Sequence, residues 1–99
     1  MDRMIYLNTL YDIYKDLLTD KQKEYYEAYY FDNLSLSEIA DNYDVSRNAI
    51  FNQLKLIEEK LEEFEEKLKI NEKQNKILEL LKSNKELYEE VKQYAYSLD

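Results

Sequence analysis

The chain contains no cysteine, no histidine, no glycine and no proline. Each absence removes a class of chemistry. Without cysteine there is no disulfide, no thiolate metal site and no thiol nucleophile. Without histidine the commonest general base and the commonest metal ligand are missing. Without glycine no Gly-rich loop can cradle a phosphate. Without proline the strongest helix breaker is absent. An all-α chain follows, with helices that end on Asn, Asp or Ser. Long apolar runs are also missing. None approaches the roughly 20 residues of a membrane span, and the N-terminus lacks an apolar core of signal-peptide length. A cytoplasmic protein with no membrane contact is the expectation.

Basic charge is scarce as well: 14 Lys and Arg face 22 Asp and Glu, a net charge of −8. A nucleic-acid binder is ordinarily basic, because neutralising phosphates supplies much of its affinity. The acid is unevenly spread. Residues 1–45 hold four basic and ten acidic residues, whereas 46–70 and 71–99 each hold five and six. What remains is 99 residues with 44% hydrophobic content, enough for one domain with a real core.

The most informative stretch is SLSEIADNYDVSRNAIFNQLK, Ser35 to Lys55. A short amphipathic helix with Leu36, Ile39 and Ala40 runs into a polar turn at Asn42, Tyr43 and Asp44, and Ser46 opens a second helix. Ser35 precedes Glu38 by three residues, the spacing of a capping box. Ser46 caps the second helix in the same manner. Ala40 is the small residue where the two helices must approach. Asp44 stands where φ > 0 is needed, which Asp tolerates better than most residues. Val45 and Ile50 are expected to plug the core. The reading is a helix-turn-helix, whose second helix offers its first turns to the major groove.

Flanking patterns complete the architecture. Leu7, Leu10, Tyr11, Tyr14, Leu17 and Leu18 recur at helical spacing and predict a first helix over about 2–18. Thr19 and Gln22 form a second capping box, opening a helix to about Tyr30 or Phe31, with a loop at Asp32 and Asn33. Beyond the turn, Ile50, Leu54, Ile57, Leu61, Phe64 and Leu68 alternate by four and three, a heptad seam suited to a coiled-coil-like contact. The second helix of the motif therefore continues to about Lys69. Some 24 residues would span roughly 36 Å, longer than the head can cover. Ile57, Leu61, Phe64 and Leu68 are accordingly the candidate oligomerisation residues, and a homodimer is expected. Asn71 and Asn75 end the seam, with a break near Ile70 or Asn71. Two further apolar strips follow (Ile77, Leu78, Leu80, Leu81; then Leu87, Tyr88, Val91, Tyr94, Ala95, Leu98), separated by a cap at Asn84. The division is a head over 1–69 and a helical tail over 70–99 that folds back on the long helix or meets a second copy, within one structural domain.

The outward-facing candidates for nucleic-acid contact are Ser46, Arg47, Asn48, Phe51, Asn52 and Lys55. Arg47 can reach a phosphate or a guanine edge, Asn48 and Asn52 can read adenine, and Lys55 suits a phosphate. The bland alternative makes Asn48 and Asn52 ordinary solvated residues. Phe51 is either head core, the preferred reading, or an exposed anchor for a protein partner. Tyr25, Tyr26, Tyr29 and Tyr30 are read as head packing with hydroxyls at the surface rather than as a base-stacking platform. Glu58, Glu59, Glu62, Glu63, Glu65 and Glu66 surround the long helix instead of converging, so solvated charge is preferred over a metal site. No nucleophile–base pair is visible. No catalytic residue, metal or cofactor is expected.

Three marks together resemble the YlxM family of small bacterial helix-turn-helix proteins. These are Leu17, Leu18, Thr19, Lys21 and Gln22 at the second helix start; the YYFDNLSLSEIA stretch through Ala40; and Val45, Ser46, Arg47 and Ala49. The resemblance covers about residues 5–70. That family is itself similar to the promoter-reading region of sigma factors, which carries arginines along its recognition helix where this chain has Ala49 and Phe51. The resemblance implies a non-enzymatic cytoplasmic regulator linked to the signal recognition particle pathway, with the particle's protein or RNA as a partner. Of the site residues it carries over Ser46, Arg47 and Ala49 alone. DNA is preferred over RNA as the nucleic acid. The rival reading is a protein-interaction adaptor that keeps the fold without significant DNA binding.

Overall fold

The computed structural model describes residues 2–95, with Ala95 given by its backbone alone. Among these residues there are six α-helices and no strand. The first, α1 (Arg3–Tyr14), starts at Asp2, whose carboxylate accepts the Met4 N–H at 2.7 Å. It buries Leu7, Leu10, Tyr11 and Tyr14. The expected continuation to Leu18 does not occur. A 3-10 turn over Lys15–Leu17 tightens the chain, and three residues per turn shift the phase of the side chains. Leu17 consequently points out (55% exposed), while Leu18 is buried.

Helices α2 (Asp20–Tyr30) and α3 (Leu36–Tyr43) both begin with the capping boxes legible in the sequence. In α2, Thr19 Oγ1 accepts the Gln22 N–H at 3.1 Å and Gln22 Oε1 accepts the Thr19 N–H at 3.0 Å. The Ser35–Glu38 pair repeats this at 3.1 and 3.0 Å. Backbone donation to its carboxylate from Ser35 holds the Glu38 carboxyl below its usual range. Asn33, in the loop between the two helices, has φ 57°.

Helix α4 (Arg47–Leu68) is the long element, and α1, α2 and α3 all pack against it. Its buried stripe is Ile50, Leu54, Ile57 and Leu61. With Leu10, Tyr11, Tyr14, Leu18, Tyr25, Tyr26, Ala28, Ile39 and Ala40 these residues form one core. Each fully buried leucine or isoleucine stabilises the fold by about 1.5–3 kcal/mol relative to an exposed one. The long helix is not too long for the head. Helix α1 packs on its second half, with Arg3 reaching Glu62 at 2.7 Å and Tyr14 reaching Glu65 at 2.6 Å. The oligomerisation reading of the seam is therefore corrected. Ile57 and Leu61 are fully covered within the chain and have no area left for a second copy. Phe64 packs against the Tyr14 ring, 5.9 Å between centroids, and Leu68 alone remains open at 45% exposure.

Tyrosine rings build much of this core. Tyr11 stacks on Tyr26 at 4.2 Å and Tyr26 on Tyr30 at 4.5 Å. At Tyr26 and Tyr30 the hydroxyls are not left to solvent as expected. Tyr26 donates to Asn8, Tyr30 to Glu58, Tyr14 to Glu65 and Tyr11 to Glu27. Burial raises the pKa of all four above the ordinary phenol value, reinforced at Tyr11, Tyr14 and Tyr30 by the carboxylate each one meets.

The break after α4 falls at Lys69, in the left-handed conformation (φ 55°), one residue before the expected site. Helix α5 (Ile70–Leu80) has no capping side chain of its own at this residue. Its first N–H groups are met from elsewhere: Ile70 donates to Tyr14 Oη (3.2 Å), Asn71 to Glu65 Oε1 (3.0 Å) and Glu72 to Glu65 Oε2 (3.0 Å). Glu65 is thus a buried cap rather than a solvated charge. The helix packs on α1, α4 and α6 (Lys85–Ala95). Of its apolar strip Leu78 is buried, whereas Ile77 and Leu80 are exposed. Asn84 opens α6 as expected, accepting the Leu87 N–H at 3.0 Å. The apolar strip read through Ala95 and Leu98 runs outside the described side chains.

Candidate nucleic-acid interface

The turn between α3 and α4 is closed by backbone bonds of a helix-ending type. Asp44 takes φ 53°, ψ 49°, the left-handed geometry expected of it. The Val45 N–H returns to the Ala40 carbonyl at 3.0 Å and the Asp44 N–H to Asp41 at 3.4 Å, a Schellman pattern. Ser46 Oγ then accepts the Ala49 N–H at 3.0 Å and starts α4. Ala40 and Ile50 are buried where the two helices meet. Val45, expected in the core, is 41% exposed. The Schellman closure uses its backbone, and its side chain stays outside.

This geometry places Ser46, Arg47, Asn48, Phe51, Asn52 and Lys55 all at the surface. Residues 47, 51 and 55 follow one another at intervals of four, 48 and 52 lie beside them, and Ser46 precedes them as the cap, so the six share one side of the first turns. Phe51 is 51% exposed, which corrects the preferred core reading: Ile50, one position earlier, takes the inward direction. Among the described residues neither Arg47 nor Lys55 enters an ion pair, whereas Arg3, the other arginine, is held by Glu58 and Glu62. The positive end of the α4 dipole adds to the same spot.

Residues 1–99 match the family described as "Putative helix-turn-helix protein, YlxM / p13 like". The chain belongs to this family. YlxM-like relatives include the UPF0122 protein YlxM of Bacillus subtilis, 41% identical over 95 residues that cover 96% of this chain and 80% of the relative. A UPF0122 protein of Bacillus pumilus is 44% identical over 93 residues, 94% of this chain and 84% of the relative. One of Shouchella clausii is 49% identical over 64 residues, 65% of this chain and 59% of the relative.

In this YlxM-like chain the positive surface is small. Downstream of Lys55 the exposed and half-exposed side of α4 carries Glu58, Glu59, Glu62, Glu63 and Glu66. Some of that charge is matched: Lys67 Nζ sits 2.8 Å from Glu63, an exchange that lowers the Glu63 pKa and raises that of Lys67. No group of acidic residues among those described is arranged to hold a metal ion, and no described helix is long and apolar enough to cross a membrane. The tyrosines cannot serve as a base-stacking platform as a set, because Tyr25 and Tyr26 are buried. Val45 joins the candidate surface and was missed in the sequence. Its place directly before a capping serine, after a left-handed residue, was the available signal: a residue there follows the chain around the turn rather than the helix face.

Proposed function

We propose that this YlxM-like protein is a non-enzymatic regulator that inserts the first turns of α4 into a nucleic-acid groove, duplex DNA in preference to RNA, as an accessory of the signal recognition particle pathway. The observation that carries the reading is the exposed Arg47, unpaired among the described residues, at the start of a capped helix, with Asn48, Asn52 and Lys55 on the same side. Arg47 would engage a phosphate or guanine edge, the two asparagines adenine edges, and Lys55 a phosphate. The link to the particle rests on the family resemblance.

Charge sets the strength of such binding. Two cations neutralising two phosphates give a salt slope of roughly −2 in log K against log salt, and two copies acting together roughly −4. This is a weak footprint on a chain of net charge −8. A second reading, a protein-interaction adaptor, is favoured by the half-exposed Phe51 and Val45 beside the same residues. One salt-titrated assay separates them, offering duplex DNA, the particle's RNA and the particle's protein side by side. The regulator reading expects DNA binding that Arg47→Ala and Lys55→Ala each weaken, with the slope smaller by about 1 for each lost phosphate contact. Salt-insensitive capture of the protein, lost in Phe51→Ala and unaffected by Arg47→Ala, would overturn it in favour of the adaptor.

A further inference from the structure

The C-terminal hairpin leaves its apolar residues uncovered. On α5, Ile77 is 47% and Leu80 69% exposed; on α6, Leu87 is 40% and Tyr94 78% exposed. None of the described side chains of α6 is buried, and Tyr88 and Val91 are only partly covered. Eleven residues are too few for a helix to hold itself together in water, where isolated helices shorter than about 12–15 residues are marginal. Yet α6 packs chiefly on α5. An apolar strip on so lightly anchored a helix calls for a covering surface.

The charges beside these strips point to what covers them. On α5, Lys73 and Lys76 lie four residues before Ile77 and Leu80, in turn, and share their exposed side. On α6, Glu90 lies three residues after Leu87 and four before Tyr94, and Glu86 lies one turn before Glu90. One strip is apolar with lysines, the other apolar with glutamates, and both belong to one chain. A two-fold axis running along the hairpin lays α5 of one copy on α6 of the other, twice, and puts opposite charges beside a shared apolar centre. Lys76 lies five residues before the turn at Leu81 and Glu90 six residues after Asn84, so the two stand at similar height along the hairpin and meet across that axis.

We infer that the hairpin face bearing Ile77, Leu80, Leu87 and Tyr94 is the surface on which a second copy of this chain docks, forming a four-helix contact. The surface is separate from the first turns of α4, so a second copy docked there leaves that face open.

Sedimentation equilibrium on the full chain tests this. The wild-type chain is expected to be a dimer. Ile77→Glu combined with Leu80→Glu is expected to be monomeric with unchanged helical circular dichroism. Lys76→Glu is expected to raise the dissociation constant roughly tenfold or more, and Glu90→Lys in the same chain to restore it, a rescue that loss of folding cannot imitate. Phe51→Ala should leave the dimer intact. A wild-type chain that stays monomeric at high concentration overturns the inference. So does a dimer indifferent to Ile77→Glu and Leu80→Glu, or one that Glu90→Lys fails to restore.

Discussion

The head formed by α1–α4 and the hairpin formed by α5 and α6 use similar residues to different ends. In the head, leucines, isoleucines and tyrosines converge on α4 and disappear from solvent. In the hairpin the same types recur at helical spacing, yet among the described side chains only Leu78 is buried. Helical periodicity declares that a face is apolar; it does not declare what covers it. In the head the covering is three other helices of the same chain. In the hairpin most of the strip still faces water. The two regions meet where α5 packs on α1 and α4, and there Tyr14 and Glu65 of the head accept the first N–H groups of α5.

The largest effect should come from removing a buried side chain in the head. Leu61→Ala takes away a fully covered residue of the α4 core stripe and should cost about 2–5 kcal/mol of unfolding free energy. Leu80→Ala in the hairpin, measured in dilute protein, should stay within roughly 0.5 kcal/mol of wild type. Urea titration followed by circular dichroism gives both values. Similar losses in the two variants would mean that hairpin and head form one cooperative core, and the contrast would fail.

Much of the head was legible because its signals are local. Three caps, the left-handed Asp44 and the stripe of Ile50, Leu54, Ile57 and Leu61 each depend on residues within one or two turns. The break near Ile70 was legible for the same reason, as the place where asparagines interrupt the seam. Illegible features depend on distant chain segments. A heptad seam looks alike whether its cover is a second copy or α1, so Ile57 and Leu61 were assigned to the wrong partner. Glu65 resembles its five neighbouring glutamates until α5 folds back and brings Asn71 and Glu72 to its carboxylate. Among the candidate contact residues, the helical register predicts the outward placement of Arg47, Asn48, Asn52 and Lys55. Val45 was read as core, and Phe51 preferably so, because a hydrophobic side chain beside a core position reads as core on composition alone.

The joint between the regions offers a smaller effect with a distinctive dependence on pH. Glu65→Ala leaves the Tyr14 hydroxyl and the Asn71 and Glu72 N–H groups without their acceptor, a loss of about 1–3 kcal/mol. It should be seen first as faster amide exchange at the start of α5, with the head still protected. Burial, then the bond to Glu65, raises the Tyr14 pKa from 10.0 to about 12. A phenol whose pKa is raised on folding adds stability that is fully present below pH 10.0 and disappears as pH rises through about 12. Alkaline titration should therefore show hairpin exchange rising across that window in the wild type and a weaker rise in Tyr14→Phe. Identical alkaline profiles in the two proteins would place the sensitivity in other tyrosines.

The smallest expected effect tests the candidate interface from its own hinge. Asp44 is held at φ 53°, a conformation that costs an L-residue with a Cβ more than it costs glycine. Glycine also has more freedom to lose on folding, so Asp44→Gly should gain no more than about 1 kcal/mol. The same change removes an exposed carboxylate three residues before Arg47, where the potential at the start of α4 decides how well a phosphate is received. Higher stability with tighter nucleic-acid binding is the outcome the regulator reading requires, and the gain in affinity should fade with added salt, because exposed charges are screened within about 10 Å at 0.1 M. Higher stability with unchanged affinity at low salt would confine Asp44 to closing the turn and would count against a phosphate at this end of α4.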